Sequence, residues 1–281
     1  MIRFEEVLHA HWAQVFRVWE TLLHEKTGLQ DLVIFQSETF GRVLALDGVI
    51  QTTEADESHY HEMMVHVPMV AHGRARRVLI IGGGDGGILR EVLKHPDVRA
   101  TMVEIDGAVI ETSRRHMPTL SAGAFDDPRA EVLIADGVDY MAAEGESFDV
   151  IIVDSTDPHG PGQVLFTESF YRDCRRRLAP GGIMVTQNGV PFLQPDELTT
   201  SWNRLRPHFD DVWFYVTAVP TYVGGFMTLG WASRDPAHRR LPLETVAARV
   251  AALSLDTRYY TPEVHVASFA LPRYVTRLME K

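Results

Sequence analysis

The stretch that most constrains this chain is LIIGGGDGGILR, residues 79–90, an apolar run that passes through glycines straight into a helical pattern. Gly82, Gly84 and Gly87 fit G-x-G-x-x-G between a strand and a helix, the context in which backbone approaches a nucleotide closely and a helix N-terminus offers free N–H groups. The surroundings repeat the alternation. RVLIIG, ATMVEID, AEVLIAD, FDVIIVD and GGIMVTQ read as short continuous apolar strands, separated by the helical stretches ILREVLKH, GAVIETSRRHM, DYMAAEG and FTESFYRDCRRRL. Such strands need cover on both faces, so they predict a parallel, doubly wound α/β sheet of Rossmann-like, methyltransferase type. PDELTTSWNRLRPHF predicts one more helix, and VWFYVTAVP with FMTLGWAS a closing antiparallel pair.

Residues 1–53 have a different character. LVIFQSETFGRVLALDGVIQTT alternates apolar and polar residues around Phe40-Gly41 and Asp47-Gly48, as hairpins do. The expected organisation is a small N-terminal β-strand domain, 1–53, followed by a catalytic domain, 54–281. The latter opens on the helix SHYHEMMVHVPMVAHG, which Gly73 closes and Pro68 could kink.

Composition narrows the function classes. With 27 basic and 38 acidic residues the net charge is −11, which argues against a nucleic-acid backbone as partner and mildly for cationic ligands. No apolar run approaches the roughly 20 residues of a membrane span. The first residues, MIRFEEVLHAHW, lack the pattern of a secretory leader, so a cytoplasmic protein is expected. The single cysteine, Cys174, lies in a helical pattern and is expected to pack as a small hydrophobe.

Individual acids carry more information. Glu104 ends the second apolar strand, where a carboxylate can accept from both hydroxyls of a ribose. Asp136-Gly137 closes the third, as an adenine contact or as a plain turn. The glycine motif alone suits either NAD or an S-adenosylmethionine-type ligand. Asp85 within the loop discriminates: its carboxylate would repel a pyrophosphate or an amino-acid carboxylate and attract an ammonium. The favoured ligand is a nucleoside carrying a cation and no anion, and decarboxylated S-adenosylmethionine is such a molecule. Asp154 and Asp157 follow a buried strand at the carboxyl edge of the sheet, where open α/β folds bind ligands. The His159-Gly160-Pro161-Gly162 segment after them suits a gate. Asp85, Asp154 and Asp157 together match the three cationic centres of such a donor and a diamine.

Beyond these residues the chain resembles the spermidine synthase family of polyamine aminopropyltransferases, bacterial type. LDGVIQTTE with YHEM, GGGDGG and D-x-x-D-P-x-G-P carry the likeness most specifically, and PTYVGGFMTL and RYYTPEVHVASFALP extend it over nearly the whole chain. The resemblance implies aminopropyl transfer from decarboxylated S-adenosylmethionine, a co-substrate, to putrescine, giving spermidine and methylthioadenosine with no metal or other cofactor. It implies nucleoside contacts from Gln30, Gly82, Gly84, Glu104, Asp136, Gly137 and Pro161. Tyr60, His61, Asp85, Asp157 and Tyr222 would bind the amine, Asp154 would accept the proton, and the assembly would be a homodimer or homotetramer. Two positions depart from the family pattern: Ser58 replaces a usual Phe, and Phe4 stands where Trp is usual. Both bear on the acceptor, so cadaverine, agmatine or spermidine remain alternatives. On the same scaffold an amine N-methyltransferase, an NAD-dependent oxidoreductase or a catalytically silent polyamine-binding module are the rivals. Asp85 opposes the first, and the oxidoreductase leaves the three aspartates without a role. A silent module would have lost one of these acids. His59, His61 and His66 lack a common helix face and a further ligand cluster, so no metal site is expected.

Overall fold

The computed structural model describes residues 2–156 and 160–280. Its N-terminal part is all strand. A hairpin of β1 (Ile2–His9) and β2 (Trp12–Val18) stands beside a four-stranded antiparallel meander of β3 (Glu20–Lys26), β4 (Asp31–Ser37), β5 (Gly41–Leu46) and β6 (Val49–Thr53). Asp47 and Gly48 link β5 to β6 with φ of 50° and 79°, the left-handed pair that a two-residue hairpin turn requires. Phe4 is stacked on Phe35 at 4.9 Å, where it packs against the small core of this part beside Phe16 and Val43.

Helix α1 (Glu57–His72) follows, runs through Pro68 without interruption and ends on Gly73 in the left-handed conformation. Strands and helices then alternate: β7 (Arg77–Gly82), α2 (Gly87–Leu93), β8 (Arg99–Glu104), α3 (Gly107–His116), α4 (Pro118–Ser121), β9 (Ala130–Ile134), α5 (Gly137–Ala142), β10 (Phe148–Asp154), α6 (Glu168–Arg177), β11 (Leu178–Gln187) and α7 (Pro195–Leu205). The last strands are β12 (Asp211–Thr217) and β13 (Met227–Ser233). The sheet order is β12-β13-β11-β10-β7-β8-β9, with β7 to β11 parallel and β13 antiparallel to both its neighbours. The closing pair is therefore as expected, but its second strand lies inside, against β11, leaving β12 at the edge.

Alternation along one strand shows why both faces are covered. Val78 and Ile80 of β7 pack in a core with Met63, Val67 and Leu89 of α1 and α2. Leu79 and Ile81 pack in another with Met141, Phe170 and Tyr171 of α5 and α6. Burying such side chains contributes about 1.5–3 kcal/mol each. Cys174 belongs to that second core, and burial pushes its thiol well above the ordinary range, which makes it inert.

Three helices that the sequence reading left unassigned complete the chain: α8 (Leu243–Leu253), α9 (Pro262–Ser268) and α10 (Arg273–Leu278). Thr261, whose hydroxyl accepts from Val264 N, and Pro262 at the first helical position are ordinary start signals that would have disclosed α9. Among the described residues no helix is long and apolar enough to cross a membrane.

Candidate active site

Winding reverses between β7 and β10, which are neighbours although α2, β8, α3, α4, β9 and α5 separate them in sequence. Ligand crevices open at the carboxyl ends of such strands. Here Asp154 is the register partner of Gly82, and the two backbones meet so closely that a Cβ on Gly82 would lie 1.9 Å from the Asp154 carbonyl oxygen. Gly83 N also donates to that carbonyl at 3.2 Å. The glycine loop thus sets the height of Asp154.

A single cavity at this edge is lined by Gln30, Tyr60, His61, Gly82, Gly84, Asp85, Glu104, Asp136, Gly137, Asp154 and Tyr222. These are all but two of the residues expected there. Asp157 lies outside the described residues, as does the side chain of Pro161. Ser58 is buried on α1 but does not line the cavity, and Phe4 belongs to the β-domain core. Neither departure from the family pattern therefore forms a wall of the pocket.

Tyr60 donates its hydroxyl to Asp154 Oδ1 at 2.6 Å. Among the described residues no hydrogen bond reaches Oδ2, and Asp154 lines the cavity. Burial and the neighbouring Asp85 raise the Asp154 carboxyl to about 6, against smaller opposing effects of Tyr60 and His61. Asp85 is pinned twice: Oδ1 accepts from Gly87 N at 2.7 Å, and Oδ2 lies 3.2 Å from His61 Nε2. Counting three carboxylates against three ligand cations therefore leaves out His61, whose Nε2 already lies beside Asp85. Tyr222 donates to the Gln51 carbonyl, and its ring meets that of Tyr60 edge-on at 6.0 Å.

On the other side of the cavity, burial pushes Glu104 up to about 7, helped by the charges of Asp154 and Asp106 and opposed by the Asp106 N–H, which donates to Oε1 at 2.9 Å. Gln30 reaches across from the β-domain to Asp106 Oδ2 at 3.4 Å. Asp136 caps α5, accepting from Val138 N at 2.7 Å, and still faces the cavity. The turn-and-cap reading of Asp136-Gly137 therefore holds, and the pair also lines the cavity.

The three histidines of α1 go to separate places. His59 bonds the Ala218 carbonyl, His61 faces the cavity, and His66 joins Glu91 and His95 in the core. No group of three metal-ligating side chains forms among the described residues. Sequence reasoning missed the β1–β2 hairpin as a wall, through Glu6, Leu8 and His9, and missed Gln187 and Gln194 at the floor. Glu6 is 5% exposed, a burial that nothing in the sequence of β1 announces.

Comparison with known proteins yields consistent likenesses. Residues 57–241 match the family model described as spermine/spermidine synthase domain, and residues 2–54 the spermidine synthase tetramerisation domain. The chain is 56% identical to a polyamine aminopropyltransferase of Sodalis glossinidius, over 97% of this chain and 95% of that one. It is 54% identical to one from Pectobacterium atrosepticum, over 98% and 96%. A solved spermidine synthase in complex with the transition-state analogue AdoDATO superposes with a TM-score of 0.94 at 38% identity, covering 99% of this chain and 95% of that one. The spermidine synthase of Thermotoga maritima gives 0.93 at 38% identity, covering 100% and 94%.

Proposed function

This chain belongs to the spermine/spermidine synthase family, and we propose that it transfers the aminopropyl group of decarboxylated S-adenosylmethionine to putrescine, yielding spermidine and methylthioadenosine. The observation that carries the reading is the pairing of Asp154 with Asp85 in one cavity. One carboxylate there is oriented by Tyr60 through a single oxygen, and the other, held by Gly87 N, lines the same space.

The step is an in-line displacement. A neutral amine nitrogen attacks the aminopropyl carbon bonded to sulfur, the C–S bond breaks with its electron pair going to sulfur, and Asp154 Oδ2 takes the proton from nitrogen. An alkylammonium of pKa near 10.4 must first be deprotonated, which costs roughly 4–5 kcal/mol at pH 7. The sulfonium beside it lowers that cost by like-charge repulsion, and a carboxyl raised to about 6 is a better base than an ordinary aspartate. Positioning supplies the rest. The sulfonium is its own activated leaving group, so the step as written calls on no metal or redox cofactor. A cytoplasmic homodimer or homotetramer, assembled through the N-terminal strands, completes the reading; the match of residues 2–54 to a tetramerisation domain supports the assembly.

Glu104 makes the nucleoside half testable. Ribose hydroxyls donate to its ionised form, so binding lowers a pKa that stands at about 7 in the free protein. Methylthioadenosine should therefore release a fraction of a proton near pH 6.5–7 and bind more tightly as pH rises through 7. Calorimetry in two buffers of different ionisation heat measures this, and a buffer-independent heat would remove Glu104 from the ribose.

The acceptor half is tested by mass analysis of products from the donor and putrescine, cadaverine, agmatine, spermidine or butylamine. Putrescine should lead. Asp157 is assigned to the far ammonium through a charge-assisted bond of about 1.5–3 kcal/mol, so butylamine should fall roughly ten- to hundredfold in kcat/KM. Parity of butylamine with putrescine would rule out a second carboxylate at the far end.

A further inference from the structure

His61 is gripped from both sides. Its Nδ1 lies 2.7 Å from Glu57 Oε2, one helical turn back on α1, and its Nε2 lies 3.2 Å from Asp85 Oδ2. Ionised carboxylates only accept, so a ring protonated at both nitrogens is the form that satisfies both contacts. The ring is also confined: a Cβ on Gly87 would lie 2.2 Å from its Cε1 and Nδ1. Glu57 is itself anchored. Arg90 Nη2 of α2 sits 2.7 Å from Oε2, and Arg258 Nη1 sits 3.7 Å from Oε1. Arg90 is held in turn by Glu91 and by the Leu120 carbonyl.

We propose that Glu57 is a positioning residue for the transfer reaction: acting through His61, it keeps the imidazole doubly protonated and thereby fixes the Asp85 carboxylate toward the cavity. The proposal rests on the aminopropyl-transfer reading above. Glu57 touches no substrate in this scheme. It supplies the acceptor without which the second ring proton has no partner, and a ring that lost the proton on Nε2 would turn a lone pair toward Asp85.

The electrostatics agree. Burial alone would strip the extra proton from His61, but Asp85 and Glu57 together raise its pKa well above the ordinary value. Burial would likewise raise Glu57, yet His61 and Arg90 bring it down to about 2. The groups that face the ring are Glu57 and Tyr60 on α1, Asp85 on the glycine loop and Asp154 on β10. Arg90 and Arg258 stand behind Glu57.

The test has two arms. In ¹⁵N-histidine-labelled protein without ligand, with the His61 signals assigned against His61→Gln, both ring nitrogens should stay protonated from pH 6 to 8. In Glu57→Gln the second proton should be lost within that range. In steady-state assays Glu57→Gln should raise KM for the substrate whose ammonium meets Asp85 by about tenfold at pH 7, the loss of one charge-assisted bond, with kcat within about threefold. Its kcat/KM relative to wild type should fall further toward pH 8.5, whereas Glu57→Asp, which keeps the charge, should hold a flat ratio. A neutral His61 in the wild type at pH 7 overturns the proposal, as does a Glu57→Gln enzyme with unchanged KM and pH profile. If Glu57→Gln does not fold, the wild-type spectrum and Glu57→Asp decide. Absence of aminopropyl product from the wild type would overturn the reaction itself. That failure is told apart because the His61 spectrum does not depend on turnover.

Discussion

Asp154→Asn is expected to lose about 10²–10⁴ in kcat and to become more stable than the wild type. The loss is the usual contribution of a positioned general base. The gain follows from the environment. A carboxyl raised to about 6 in the folded protein, against 3.8 for an ordinary aspartate, is worse solvated there as an anion than in the unfolded chain. The stability associated with its protonated form is present below about pH 4 and is lost as pH rises toward 6. At pH 7 the asparagine escapes that penalty, about 1–2 kcal/mol once the accessible cavity edge of Asp154 is allowed for, and its amide oxygen still accepts from Tyr60. Thermal unfolding and kcat measured on one preparation give both readings. The wild-type kcat/KM should also rise with pH through about 6, on top of the amine's own ionisation, and that limb should vanish in the variant. Wild-type turnover in Asp154→Asn would remove the residue from proton transfer; lowered stability would mean that its charge is compensated by something else.

The second large effect concerns the donor. Intact S-adenosylmethionine carries a carboxylate that its decarboxylated form lacks, and seating that anion beside the buried Asp85 places two like charges in one pocket. An uncompensated charge in such a place costs several kcal/mol, so the intact form should bind at least about a hundredfold more weakly. His61 does not cancel the effect, because its ring is shared between Asp85 and Glu57 and the cavity holds a second carboxylate, Asp154, beside Asp85. Asp85→Asn should narrow the gap chiefly by weakening the decarboxylated form and relieving the intact one. Equal affinities for the two nucleosides in the wild type, by calorimetry, would refute the electrostatic account.

Much of this was legible in the residues themselves. Continuous apolar runs ending in glycine or aspartate fixed the parallel strands, and the loop from Gly82 to Gly87 fixed where the crevice opens. Asp85 stood out because a carboxylate in a phosphate-type loop is chemically odd. Tyr60, His61 and Tyr222 were reached only through family likeness, since nothing in YHEM states which side chains face inward. What stayed hidden depends on long-range packing. The partnership of Glu57 with Arg90 exists because α1 lies against α2, although the i, i+4 spacing of Glu57 and His61 was visible. Two antiparallel strands at the end of a sheet can add in either order, and alternation alone cannot tell which of β12 and β13 is buried against β11. The β1–β2 hairpin reaches the cavity through tertiary placement that no local period encodes.

Glu62, one residue beyond His61, is 1% exposed and accepts from the backbone N–H groups of Arg258, Tyr259 and Tyr260. That single side chain fastens the helix bearing Tyr60 and His61 to a segment almost two hundred residues later. Without residues 258–260 Glu62 would be a buried carboxylate lacking its three donors, so deleting that segment should loosen the helix that carries Tyr60 and His61 and lower the unfolding temperature.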